Sequence, residues 1–187
     1  MATGEIFREN LGNQTPLGQL AAQYLQRGEL VPDDVTIRMV KDYLESPLYT
    51  QGALLDGFPR TTLQAEALDE MVQAFQGRLA VAFIKVPEEE LIERLAGRWT
   101  CRAHGHTFHI PFHPPQVPGV CDHDRSELYQ REDDQTATVA RRIKVYYDQT
   151  MPLLKYYDKK GILVVVDGTL EIEQVTADLL AALVIDE

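Results

Sequence analysis

The stretch Leu54-Leu55-Asp56-Gly57-Phe58-Pro59-Arg60 leaves the chain few options. Two apolar residues, preceded by Gly52 and Ala53, read as the end of a short buried strand. Asp56 then stands at the carboxyl end of that strand, where open α/β sheets bind their ligands. Gly57 and Pro59 turn the chain at once, and Arg60 follows as a planar fork suited to phosphate. Thr61 can cap a helix that carries Gln64 and Glu66 in its first turn. A carboxylate at a strand tip and a guanidinium beside a helix start suggest a metal-phosphate site. The plainer alternative is an ordinary strand-turn-helix with a surface salt bridge.

Punctuation residues divide the rest of the chain. Thr3 reads as the cap of a first helix bearing Arg8, and Thr15-Pro16 opens a second that Gly28 ends. Gly28-Glu29-Leu30-Val31-Pro32-Asp33 is a short connection, and Pro32 starts a third helix with Ile37, Val40 and Leu44 on its core face. Ala65, Leu68, Met71, Val72 and Phe75 make the helix after the central turn amphipathic. Leu79 to Ile84 reads as a buried strand, and Pro87 with three glutamates opens another helix to Ala96. Near the carboxyl end, a long helix spans Val145 to Tyr157, Ile162 to Val166 is a buried strand, and a closing helix runs from Ile172 to Leu183. Strands alternating with helices predict an α/β fold, a parallel sheet with helices on both faces.

One segment breaks the alternation. Gly97 to Asp134 holds all five histidines, both cysteines, and Pro111, Pro114, Pro115 and Pro118. A stretch this long without helical periodicity reads as a functional lid. Cys101-x-x-His104, sixteen intervening residues and Cys121-x-x-Asp124 set four ligands at an interval suited to one zinc ion. His123 or His106 stands near enough in sequence to replace Asp124 or His104. A small lid with few apolar residues gains stability from such a staple, and the alternative is a metal-free lid held by polar hydrogen bonds.

Composition excludes several classes. A net charge of -11 disfavours a nucleic-acid partner while leaving room for a local cationic pocket. The sequence holds no apolar run of membrane-spanning length and no secretory leader at Met1 to Asn10, so a cytoplasmic protein without membrane partners is expected. Two cysteines in one His-rich segment favour metal ligation over a disulfide.

The motifs, in this order, resemble the adenylate kinase family over nearly the whole chain. In that family a T-G-[DE]-x-x-R turn, a G-x-L-V-P-D segment and D-G-F-P-R-T with a following Gln hold the nucleoside monophosphate. The resemblance implies that Thr3, Arg8, Arg60 and Gln64, with Glu29, Leu30, Val31 and the turn Gly57-Phe58-Pro59, bind AMP. It implies that Arg98, Arg131 and Arg142 surround the phosphates, Arg94 and Arg141 being further candidates. Thr107, Phe108 and Leu170 would meet ATP, and Asp56, with Asp133 and Asp134, would order water around magnesium. A zinc lid also occurs in some members, usually with Cys where His104 stands here. The implied organisation is a partial core over 1–97 with the monophosphate segment at about 2–31, a lid over 98–134, and core again over 135–187. Mg-ATP and AMP are the expected substrates and a monomer the expected state.

The family's P-loop, G-x-x-x-x-G-K-[ST], has no counterpart: no Gly in the chain is followed by Lys. In the resemblance, a strand, the P-loop and a helix lie upstream of the point matched by Met1. The expected fold is therefore P-loop kinase-like with the first strand missing, plus a small zinc-type lid. The chain as written is expected to be an N-terminally shortened, impaired kinase, either from an internal start codon or as a genuinely shorter protein. The alternative is a non-catalytic nucleotide-binding module with a zinc lid.

Overall fold

Proline and threonine set the helix starts as their chemistry dictates. In a computed structural model of the chain, residues 2–49 and 51–183 are described. Helix α1 spans Thr3–Gly12, α2 Pro16–Leu25 and α3 Asp33–Leu44. The Thr15 hydroxyl accepts the Gly18 N–H at 3.1 Å, and Pro16 takes the first helical position of α2. Helix α4, Thr62–Ala74, is capped the same way, with the Gln64 N–H donating to Thr61 Oγ1 at 3.2 Å. Strand β1, Val81–Lys85, leads into α5, Glu88–Ala96, whose first turn carries three glutamates against the positive helix end. Strands β2 (Arg98–Cys101), β3 (Thr107–His109) and β4 (Leu128–Tyr129) follow. Helix α6, Thr136–Val145, runs through a π-helical turn at Tyr146–Thr150 into α7, Pro152–Lys159. Strand β5, Leu163–Asp167, and α8, Ile172–Ala182, close the described chain.

This is a mixed α/β fold with a parallel sheet. β1 and β5 pair in register from Val81 with Leu163 to Lys85 with Asp167. β3, β2 and β4 form a separate antiparallel sheet in that order. That sheet lies inside the segment expected to be a lid, whose sequence had shown no regular pattern.

Three apolar clusters hold the frame. The first joins α1 to α4 around Ile6, Phe7, Ala21, Val40, Phe58 and Leu68. Gly18 permits the close crossing of α1 and α2, since a Cβ there would lie 2.2 Å from the Asn10 backbone. The second, in the small sheet, is Cys101, Phe108, Cys121 and Leu128. The third sets Ala65, Leu153 and Tyr157 against β1 and β5.

Two strand expectations need correcting. Residues 52–55 form no strand; Leu54 is 81% exposed, and among the described residues the ladder element nearby is a parallel bridge between Ala2 and Asp56. β1 and β5 are half-buried rather than buried, with Ile84 and Val165 exposed. The reason is the same for both. An apolar run is buried only if neighbours cover it, and among the described residues β1 pairs on one edge alone. A cavity of about 1500 Å³ runs between that free edge and Ala53 to Asp56.

Candidate active site

The turn after Leu55 is clasped onto the start of α1. Thr3 does not cap its helix; its N–H donates to Asp56 O at 3.1 Å and its hydroxyl to Gly57 O at 3.0 Å. Gly57 has φ +73°, and a Cβ there would lie 2.7 Å from Arg60 Nη2 and 3.1 Å from Thr3 Oγ1. The Phe58–Pro59 peptide is cis. Arg60 Nε donates back to Gly57 O at 2.9 Å, while the Thr150 hydroxyl donates to Arg60 O at 2.9 Å. The guanidinium is thus fixed at the mouth of the turn rather than free on the surface.

Cations from distant segments meet there. Thr3, Arg8, Glu29, Leu30, Val31, Asp56 to Arg60, Gln64 and Arg142 all line the large cavity. Burial, then repulsion from Arg142, pulls the Arg60 pKa below its usual value, with Asp56 and Asp133 partly offsetting. Arg8 is lowered for the same reasons, by burial and by Arg131 and Arg98 nearby. Arg98 is different: burial lowers its pKa, but the hydrogen bonds and charge of Asp134 outweigh burial and raise it. Asp134 is fully buried and accepts from Arg98 Nε at 2.8 Å and from Arg142 Nη1 at 2.9 Å. Arg142 also donates to Asp133 O at 2.9 Å. Arg131 Nε is buried with no hydrogen-bond partner among the described residues. Repelling, desolvated cations with unsatisfied N–H groups favour a bound anion.

Arg8 and Arg60 feel the charges of Arg98 and Arg131 and of Arg142 respectively, and Asp134 bridges Arg98 to Arg142. A family model described as Adenylate kinase matches residues 1–162. The chain belongs to the adenylate kinase family. It is 52% identical to an adenylate kinase of Carboxydothermus hydrogenoformans over 184 residues, 98% of this chain and 86% of that one. It is 48% identical to an adenylate kinase of Caldicellulosiruptor bescii over 187 residues, 100% of this chain and 87% of that one. It is 48% identical to that of Streptomyces avermitilis over 185 residues, 98% and 84% respectively. Membership makes the chain an adenylate kinase-like nucleoside monophosphate kinase, with ATP, AMP and ADP as the family's nucleotides and Mg-ATP as its donor. Among the described residues, no helix is long and apolar enough to cross a membrane.

The segment over 98–134, expected from sequence to be a lid, carries its own cluster. Cys101 Sγ, His106 Nδ1, Cys121 Sγ and an Asp124 oxygen lie within 4.8 Å of one another. His106 Nδ1 is 3.3 Å from Cys121 Sγ and 3.5 Å from Asp124 Oδ2, and Cys101 Sγ is 3.1 Å from that same oxygen. Ligand bonds of about 2.0–2.3 Å in a tetrahedron put neighbouring ligands roughly 3.3–3.8 Å apart, so the set fits zinc with small adjustment. The expected ligand His104 is displaced from this group. Its ring is largely exposed, its Nε2 is 3.9 Å from Asp124 Oδ2, and its backbone N–H donates to Cys101 Sγ at 3.3 Å. The reason is backbone geometry: the Cys101 N–H donates to His106 O at 2.8 Å, so the hairpin brings His106 beside Cys101. Hydrogen bonds from Ser126 hold the Asp124 carboxyl well below the usual range.

The remaining candidates are spread out. Phe108 is buried in the core of the small antiparallel sheet, 2% exposed, while Thr107 beside it is exposed. Leu170 is exposed and follows a turn in which the Thr169 N–H donates to Asp167 Oδ1 at 2.9 Å. Arg94 Nη2 donates to Gly168 O at 3.0 Å, tying α5 to that turn. Sequence reasoning placed Asp33 only as the end of the G-x-L-V-P-D segment; its carboxylate accepts from Gln64 Nε2 at 2.7 Å.

Proposed function

We propose that the chain transfers a phosphoryl group from Mg-ATP to AMP, giving two ADP, with AMP in the cavity between α1, α3 and α4. The observation that carries this reading is the convergence of Arg8, Arg60 and Arg142 on the cavity that Gln64 also lines. Arg60 and Arg142 bind the AMP phosphate, with Thr3 and Arg8 beside them. The base sits against Gln64 and the backbone of Glu29, Leu30 and Val31. Arg98 and Arg131 stabilise the transferring group when the lid over 98–134 closes, Thr107, Phe108 and Leu170 lie towards the ATP side, and Asp56 orders water around magnesium. Phosphoryl transfer needs no covalent intermediate here; alignment and charge neutralisation carry it.

Zinc is the ion that the lid cluster suits, held by Cys101, His106, Cys121 and Asp124, with structural consequence only. The 187 residues contain no G-x-x-x-x-G-K-[ST], so the backbone cradle and lysine that stabilise the donor phosphates are not among them. For these 187 residues by themselves the proposal is AMP binding through the arginine-lined cavity and, without that cradle, slow turnover. The same observation favours a second reading, a nucleotide-binding module without catalysis. A coupled ATP-plus-AMP assay on protein whose AMP binding has been measured separates the two. Slow but zinc- and arginine-dependent turnover supports the kinase, zero turnover with AMP bound supports the module, and brisk turnover contradicts the impairment.

A further inference from the structure

Gln64 is 2% exposed and sits on the first turn of α4, in the wall of the cavity. Both ends of its amide are held. The Arg60 backbone N–H donates to Gln64 Oε1 at 2.8 Å, and Gln64 Nε2 donates to Asp33 Oδ1 at 2.7 Å. A backbone N–H can only donate, and an ionised carboxylate can only accept. One amide orientation satisfies both partners. The flipped amide would set Oε1 against the Asp33 carboxylate and Nε2 against the Arg60 N–H, leaving two mismatched contacts in a buried place.

We infer that Asp33 is a specificity-determining positioning residue, which locks the Gln64 amide so that the cavity prefers 6-aminopurine over 6-oxopurine monophosphates. The inference rests on the AMP reading given above. After its two fixed bonds the amide keeps one N–H and one oxygen lone pair. Adenine offers an amino donor beside a ring-nitrogen acceptor, which match that pair. Guanine and hypoxanthine offer a carbonyl acceptor beside a ring N–H donor, which match only the flipped amide. Discrimination of this kind is strong because the wrong base leaves buried polar groups unpaired. Asp33 supplies half of the resistance to the flip, and it does so from the first residue of α3, a separate helix.

Calorimetric titration of the chain with AMP and with inosine monophosphate tests this, because the two ligands differ only at the edge in question. Wild type should prefer AMP. Asp33→Asn, whose amide can meet either end of Gln64, should narrow the AMP-to-inosine-monophosphate affinity ratio by about tenfold or more. Asp33→Glu, which keeps the carboxylate, should restore most of it. If Asp33→Asn does not fold, judged by circular dichroism and melting, Asp33→Ser is read in the same way. A ratio unchanged in a folded variant, with both ligands weakened in step, overturns the role of Asp33. Wild type that fails to bind AMP, or Gln64→Ala that binds it as well as wild type, overturns the AMP reading itself and the inference with it.

Discussion

Arg98 grips Asp134 side-on, with Nε at 2.8 Å and Nη2 at 2.5 Å from the two carboxylate oxygens, so the first residue of β2 is tied to the turn before α6. The two ends of the segment 98–134 are thereby joined through one fully buried carboxylate that Arg142 shares. Asp134→Ala would remove the carboxylate that Arg98 and Arg142 share and leave Asp133, 3.3 Å from Arg142 Nη1, as the counter-charge beside them. Loss of one partner from a buried ion pair costs about 3–5 kcal/mol, and for a chain of this size each kcal/mol lowers Tm by roughly 2–4 °C. Scanning calorimetry should register that fall, and Arg98→Met with Asp134→Asn should lose less than the sum of the single changes.

Gly57 couples backbone to charge. With φ at +73° and a Cβ that would lie 2.7 Å from Arg60 Nη2, Gly57→Ala is strained twice. The φ penalty costs about 1 kcal/mol, and displacement of Arg60 should weaken AMP by on the order of tenfold. Gly52→Ala is the comparison: it also has positive φ, +115°, but a Cβ there meets nothing within 4 Å. Its AMP affinity should stay near wild type in the same titration.

The lid cluster makes a composition forecast. Protein purified without a histidine tag should carry about one zinc per chain by elemental analysis. His106→Ala should lose most of it, whereas His104→Ala should retain it, since mutation of a ligand costs far more metal than mutation of a neighbour. Chelation of the wild type should lower Tm, and re-addition of zinc should restore it. Zinc retained in His106→Ala and lost in His104→Ala would return the ligand role to the residue that spacing alone suggested.

A surface cluster sets an alkaline limit. Lys160 and the Tyr156 hydroxyl both donate to the Asp69 carboxylate, and Lys160 also stands over the Tyr156 ring at 4.7 Å. The Asp69 hydrogen bond raises the Lys160 pKa above its usual 10.5, and raises that of Tyr156 above 10.0. Groups whose pKa is raised on folding contribute stability below the unfolded pKa and lose it as pH rises through the folded one. The Tm difference between wild type and Lys160→Met should therefore be constant from neutral pH to about pH 10 and shrink above it. A difference that grows with alkalinity would reverse this assignment.

Local chemistry made much of this fold legible. Thr15-Pro16, Pro32-Asp33, Thr61 and Pro87 each began a helix where capping and proline geometry require, and the turn at Asp56 to Arg60 lies on the wall of the large cavity. Burial was less legible, because Leu54, Ile84 and Val165 are strand-like residues whose cover depends on neighbours that periodicity does not report. Thr3 reads as a cap, yet its hydroxyl reaches Gly57, 54 residues away. Asp33 was legible as the last residue of the G-x-L-V-P-D segment, but its bond to Gln64, 31 residues off, was not. Spacing left His104 and His106 as alternatives, and hairpin pairing is what sets His106 rather than His104 beside Cys101, Cys121 and Asp124. The π-helical turn at Tyr146–Thr150 likewise left no mark in a pattern read as one long helix.

Convergence of guanidiniums on one nucleotide phosphate is the claim on which the rest stands. Parallel calorimetric titrations of the chain with AMP and with adenosine, repeated on Arg60→Met and Arg142→Met, measure it directly. The arginine account predicts one-to-one AMP binding, far weaker binding of adenosine, and a loss of about 10- to 100-fold for AMP in each variant with adenosine unaffected. Equal affinity for AMP and adenosine, or AMP binding indifferent to both substitutions, would contradict it.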